Sequence, residues 1–119
     1  MRAGSRTLNR GVALLVCGAV AAAWVHGSAR AGDVKAGRAK AEVCVVCHGL
    51  DGVSKIPEAP NLAGQNERYL IAQLDAFQSG ARNNEMMSIV IKDLSAEDIE
   101  NLAAYYAAIP VTVGKPPGQ

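Results

Sequence analysis

Five consecutive residues constrain this chain more than anything else in it: Cys44-Val45-Val46-Cys47-His48. They put two thiols and an imidazole on little more than one helical turn. A structural zinc site takes four Cys or His ligands. Outside Cys17 and His26 near the N-terminus, the chain offers only the three in this pentapeptide, so a carboxylate would have to complete the set. A thioredoxin-like redox pair belongs beside a βαβ unit, and the sequence carries little sheet signal. A plain disulfide between Cys44 and Cys47 closes too small a loop to staple a fold and gives His48 no task. The remaining reading is covalent haem attachment, for which C-x-x-C-H is the signature. Each thiol bonds one vinyl group on the same porphyrin edge, and the histidine then lies beneath the ring with a nitrogen aimed at iron.

The N-terminal third reads as something other than domain. Arg2, Arg6 and Arg10 precede the apolar run Val12–Val25, and Ala29-Arg30-Ala31 follows as a small-residue exit. Basic start, apolar middle and A-x-A end predict a secretory signal peptide over residues 1–31. The run has 14 residues, short of the ~20 that span a bilayer, so no stable membrane insertion is expected after cleavage. Leu14-Leu15-Val16-Cys17 faintly resembles a lipoprotein box, but Val16 stands where a small residue is expected, so lipidation is not expected. Cleavage after Ala31 leaves 88 residues with 8 basic and 11 acidic side chains, moving the net charge from +1 to near −3. A nucleic-acid partner is not expected of that balance. Cleavage also removes Cys17 and His26, so His48 becomes the lone histidine. The expected location is the periplasm.

Residues 32–110 read as the domain and 111–119 as a flexible tail. Asp33 to Glu42 is Ala- and Lys-rich and predicts a short helix running into the cysteines. Gly49 to Gly64 holds two prolines and three glycines and predicts loop. Leu70, Leu74 and Phe77 recur at helical spacing, with Asn66 as N-cap and Gly80 as stop. Ser79–Asp93 is ambiguous. Ser95 and Asp98 form a capping pair for a last helix with a buried stripe of Ile99, Leu102, Ala103 and Tyr106. The predicted fold is all-α, with three or four short helices around one haem. Few large apolar side chains are spread over those helices, too few to pack well around one another, but enough to wrap a large flat apolar group.

The iron's second axial position needs a ligand, and no second histidine survives cleavage. Met86 and Met87 lie about forty residues after His48, on the segment before the last helix. One thioether is the expected ligand, which would raise the reduction potential; the alternative is that both pad the pocket.

Gly32-Asp33-Val34-Lys35-Ala36-Gly37, Cys44 to Gly49, Pro60-Asn61-Leu62-Ala63-Gly64-Gln65, Tyr69-Leu70, and Leu94-Ser95 through Ala103-Ala104-Tyr105-Tyr106 together resemble class I c-type cytochromes. The resemblance is to small bacterial periplasmic ones similar to one half of the two-haem cytochromes. It implies that Gly37 is where first and last helices cross, opposite Tyr105 or Tyr106. It implies that the Pro60 carbonyl accepts the free N–H of His48, and that the ligand is Met87, with Val90 at a place where several relatives carry another methionine. Gln65, Tyr69, Arg82 and Asn83 become candidates to bond the haem propionates.

The expected function is one-electron transfer rather than catalysis. Val45, Val46, Ile56 and Pro57 would border the haem edge as an apolar docking patch for periplasmic or membrane redox proteins. Two other classes stay open: a haem subunit of a larger redox complex, and a sensor with an open iron site. A homodimer is a further possibility that the half-length likeness raises.

Overall fold

The computed structural model of this chain describes residues 31–118. The signal-peptide reading, with Cys17 and His26, therefore lies outside the described residues. Helix α1 spans Val34–Lys40, α2 Val45–His48, α3 Glu67–Ser79, α4 Glu85–Val90 and α5 Ala96–Ala107, with 3-10 turns at Ala41–Val43 and Ile91–Asp93. No strand occurs among the described residues, and no helix there is long and apolar enough to cross a membrane.

Each longer helix starts where a short polar side chain meets its orphan N–H groups. Asp33 accepts from the Ala36 N–H at 2.9 Å, and Asn66 from the Tyr69 N–H at 3.1 Å. At the start of α5 the Ser95 hydroxyl accepts from the Asp98 N–H at 3.1 Å, while the Asp98 carboxylate accepts from the Ser95 N–H at 3.0 Å. Gly80 ends α3 in the left-handed region, φ 78°, where a side chain would be strained.

Two expectations change in detail. The helix expected over Asp33–Glu42 ends at Lys40, tightens into the 3-10 turn, and restarts as α2 after Cys44. The ambiguous Ser79–Asp93 segment contains α4 and a second 3-10 turn, begun by Asn84, whose side chain accepts from the Met86 and Met87 N–H groups. The count is thus five α-helical segments, two of them brief, in place of three or four.

Helix α5 is the hub. Its Ile99, Leu102, Ala103 and Tyr106 pack with Ala41, Leu70, Ile91 and Leu94 into one buried cluster. Helix α1 crosses α5 so closely that a Cβ at Gly37 would fall on the Asn101 carbonyl and reach 2.8 Å from Tyr105 Cβ. The expected glycine crossing is therefore present, with Tyr105 as the aromatic opposite. A Lys40–Asp98 ion pair at 3.0 Å and the Asp33 N–H donating to Asn101 Oδ1 at 2.6 Å tie the same two helices. This packing leaves α2, the 49–66 loop, α3 and α4 around a hollow.

Candidate functional site

The hollow is a cavity of about 390 Å³. Every residue singled out for cofactor binding lines it: Cys44, Cys47, His48, Pro60, Gln65, Tyr69, Arg82, Asn83 and Met87.

On one side stands the pentapeptide. Cys44 precedes α2, and Cys47 and His48 lie on it. Both thiols are free and half-buried. Burial pushes the Cys44 thiol up to about 11, against a partly offsetting hydrogen bond with Tyr106. A thiol of that kind is protonated at neutral pH and a poor attacking group in disulfide exchange, which tells against a thioredoxin-like role.

His48 is buried, and its Nδ1 lies 2.9 Å from the Pro60 carbonyl oxygen. A carbonyl only accepts, so Nδ1 carries the hydrogen and donates; the tautomer this selects in a neutral ring is the one whose Nε2 lone pair can meet a metal. The partner carbonyl is itself held. Lys55 N–H donates to the Cys47 carbonyl at 2.8 Å, and Leu62 and Ala63 N–H donate to the Gly52 carbonyl at 2.8 and 3.0 Å, folding the loop back onto α2. From α5, Tyr105 Oη donates to the Leu50 carbonyl at 2.7 Å and Tyr106 Oη to the Gly49 carbonyl at 3.2 Å. The turn that follows His48 is thereby fixed to the core.

The facing walls are apolar: Leu70, Leu74 and Phe77 from α3, and Val90 and Ile91 beyond the methionines. Both methionines reach the cavity, but Met86 is 62 % exposed whereas Met87 is half-buried. Their adjacency on a helix turns the two side chains in different directions, and Met87 has the inward one.

The rim holds the polar candidates. Arg82 donates to Gln73 Oε1 at 2.6 Å and lies 4.6 Å over the Phe77 ring. Gln65 accepts from the Asn66 N–H at 2.9 Å through Oε1, and Asn83 accepts from the Ser88 hydroxyl at 3.2 Å through Oδ1. In both amides the bonded atom is the acceptor, so the NH₂ donors remain for an anionic group at the rim. Gln73 and Phe77, which orient Arg82, were not anticipated, although their spacing of four places them on one face of α3 with the cavity. The Tyr106 hydroxyl was also missed, since Tyr106 reads in sequence only as part of an apolar stripe.

A paired thiol edge, one histidine nitrogen, a thioether, apolar walls and rim donors fit a flat apolar group with a metal centre and anionic margin. Known proteins supply the comparison. The family model described as Cytochrome c matches residues 34–108. Cytochrome c4 of Pseudomonas aeruginosa is 46 % identical over 84 residues, covering 71 % of this chain and 42 % of that protein. Cytochrome c-554(548) of Halomonas halodenitrificans is 43 % identical over 81 residues, covering 66 % of this chain and 98 % of that one. Reduced recombinant cytochrome c4 from Pseudomonas stutzeri is a structural match with TM-score 0.65 at 41 % identity, covering 71 % of this chain and 49 % of that one. The chain thus spans less than half of the first of these relatives and nearly all of the second.

Proposed function

The chain belongs to the cytochrome c family, and from that premise we propose that it is a periplasmic one-electron carrier holding a single haem through Cys44 and Cys47, with His48 and Met87 as axial ligands. The observation that carries the reading is the His48–Pro60 hydrogen bond of 2.9 Å facing a cavity that Met87 also lines. Bound there, haem iron supplies a one-electron ferric–ferrous couple. The Pro60 carbonyl fixes the ring of His48 and makes its Nε2 a stronger donor. Met87 brings a soft thioether, which favours the ferrous state and a higher potential. With both side chains as ligands, the chain leaves no coordination position for a substrate. Arg82 and the amides of Gln65 and Asn83 are placed to meet the propionates. The basic, apolar, small-residue order of residues 1–31 supports export, and Val46, 76 % exposed beside the cysteines, supports docking of other redox proteins at that edge.

The test is the optical spectrum of the exported, oxidised protein. Wild type and Met86→Ala are expected to show the weak long-wavelength sulfur-to-iron charge-transfer band, and Met87→Ala to lose it. Covalent haem without the band in wild type would overturn the ligand assignment. Carbon monoxide binding to the reduced wild type would then identify an open iron site.

A further inference from the structure

The segment that carries Met87 is tied to the fold in an uneven way. Ile91 and Leu94 bury their side chains in the core, which anchors the far end of the segment. Within residues 83–94 the hydrogen bonds of α4 are its own: Asn84 caps it, and Ser88 bonds back to Asn83. From outside the segment, one side chain on α3 reaches into it. The Gln78 amide Nε2 donates to the Leu94 carbonyl at 2.7 Å and, at 3.5 Å, to the Ile91 carbonyl. Both partners are carbonyls, so the group between them must be the NH₂ and not the amide oxygen.

We infer that Gln78 is a positioning residue that sets how firmly Met87 is held at the iron. The inference rests on the reading of Met87 as the axial ligand. Its physical basis is local. A six-residue helix with no buried residue opens more often than the core around it. One amide spanning two carbonyls of the turn that follows α4 pins the hinge about which α4 would swing away. Losing it leaves two carbonyls without that donor and makes the opened arrangement, in which their solvation is restored, comparatively more favourable. Met87 need not move for its own sake; it leaves whenever its segment does.

The experiment uses the haem-loaded full chain and three variants, Gln78→Met, Gln78→Glu and Asp33→Ala. Gln78→Met keeps length and removes the donors. Gln78→Glu sets a carboxylate against the two carbonyls. Asp33→Ala removes the side-chain cap of α1, away from the hinge, and reports what general destabilisation alone does. The readout is the rate at which imidazole replaces the thioether on ferric protein, followed by loss of the sulfur-to-iron band. Replacement is expected to be roughly tenfold faster in Gln78→Met, about the effect of one well-placed hydrogen bond on an equilibrium, and faster again in Gln78→Glu. Asp33→Ala is expected to stay near the wild-type rate. Wild-type rates in both Gln78 variants would overturn the inference, and so would an equal acceleration in Asp33→Ala. A wild type that lacks the band would overturn the Met87 assignment itself, a different result seen before any variant is compared.

Discussion

His48 shows how one residue's task is divided between sequence and fold. Its place directly after Cys47 makes it the expected iron ligand. The choice of nitrogen comes from the Pro60 carbonyl 2.9 Å from Nδ1, twelve residues along a loop. Tyr106 is the opposite case: its apolar body is legible in the α5 stripe, while its hydroxyl acts on a backbone carbonyl 57 residues away. The side chain is 2 % exposed, and burial pushes its phenol up, so the hydroxyl stays protonated and donates. Tyr106→Phe removes that donor and leaves the Gly49 carbonyl with the Gly52 N–H at 3.2 Å, so the haem-loaded protein is expected to lose about 1 kcal/mol in chemical denaturation. Its haem spectrum should be unchanged, because His48 and Met87 are untouched. A loss of only a few tenths would mean that the ring's packing, and not its hydroxyl, is what α5 contributes there.

At the scale of elements, the start of α5 combines a cap and a charge. Asp98 accepts from the Ser95 backbone and pairs with Lys40 on α1 at 3.0 Å; the Ser95 bond first, and Lys40 with it, hold its carboxyl below the usual carboxylate value. A depressed folded-state value means that the contribution is complete above the unfolded value of about 4 and is lost as pH falls through the lower folded one. Asp51, lowered by Lys55 and by the Val53 N–H, adds to the same acid limb. The informative quantity is therefore the difference between wild type and Asp98→Asn. Urea unfolding should show the wild type more stable at pH 7 and the gap closing toward pH 3. A gap independent of pH would assign the role to the cap alone. The ends of α3 and α5 were legible because Asn66, Gly80, Ser95 and Asp98 act on backbone within a few residues. The 3-10 break after Lys40 was not legible, because it serves the docking of Ala41 into the core, a tertiary effect. Nor was α4, whose six residues are too few to show a period and depend on Asn84 and on anchors in the core.

For the whole molecule, the sequence disclosed the hollow before the structure did: a poor apolar inventory and a ligand-bearing pentapeptide implied a group to wrap. It did not disclose which apolar residues stay outside. Val45 turns half inward while Val46 is 76 % exposed and Val43, one residue before Cys44, is 52 % exposed. The edge nearest the cysteines thus presents small aliphatic side chains without a charge of their own, on a domain whose net charge after residue 31 is near −3. Transient redox contacts bury little area, so a small apolar spot of this kind is enough to seat one. Electron self-exchange between oxidised and reduced copies, measured by resonance broadening, tests this edge without a chosen partner. The wild-type rate should rise modestly with salt, since two copies of like net charge repel and salt screens that repulsion. Val46→Glu sets two carboxylates against each other whenever two edges meet. Self-exchange should then slow by about three- to tenfold at low salt and recover as salt screens the pair, with the haem spectrum unaltered. An unchanged rate in Val46→Glu would place the electron's exit elsewhere on the surface, with the rim around Arg82 the next segment to probe.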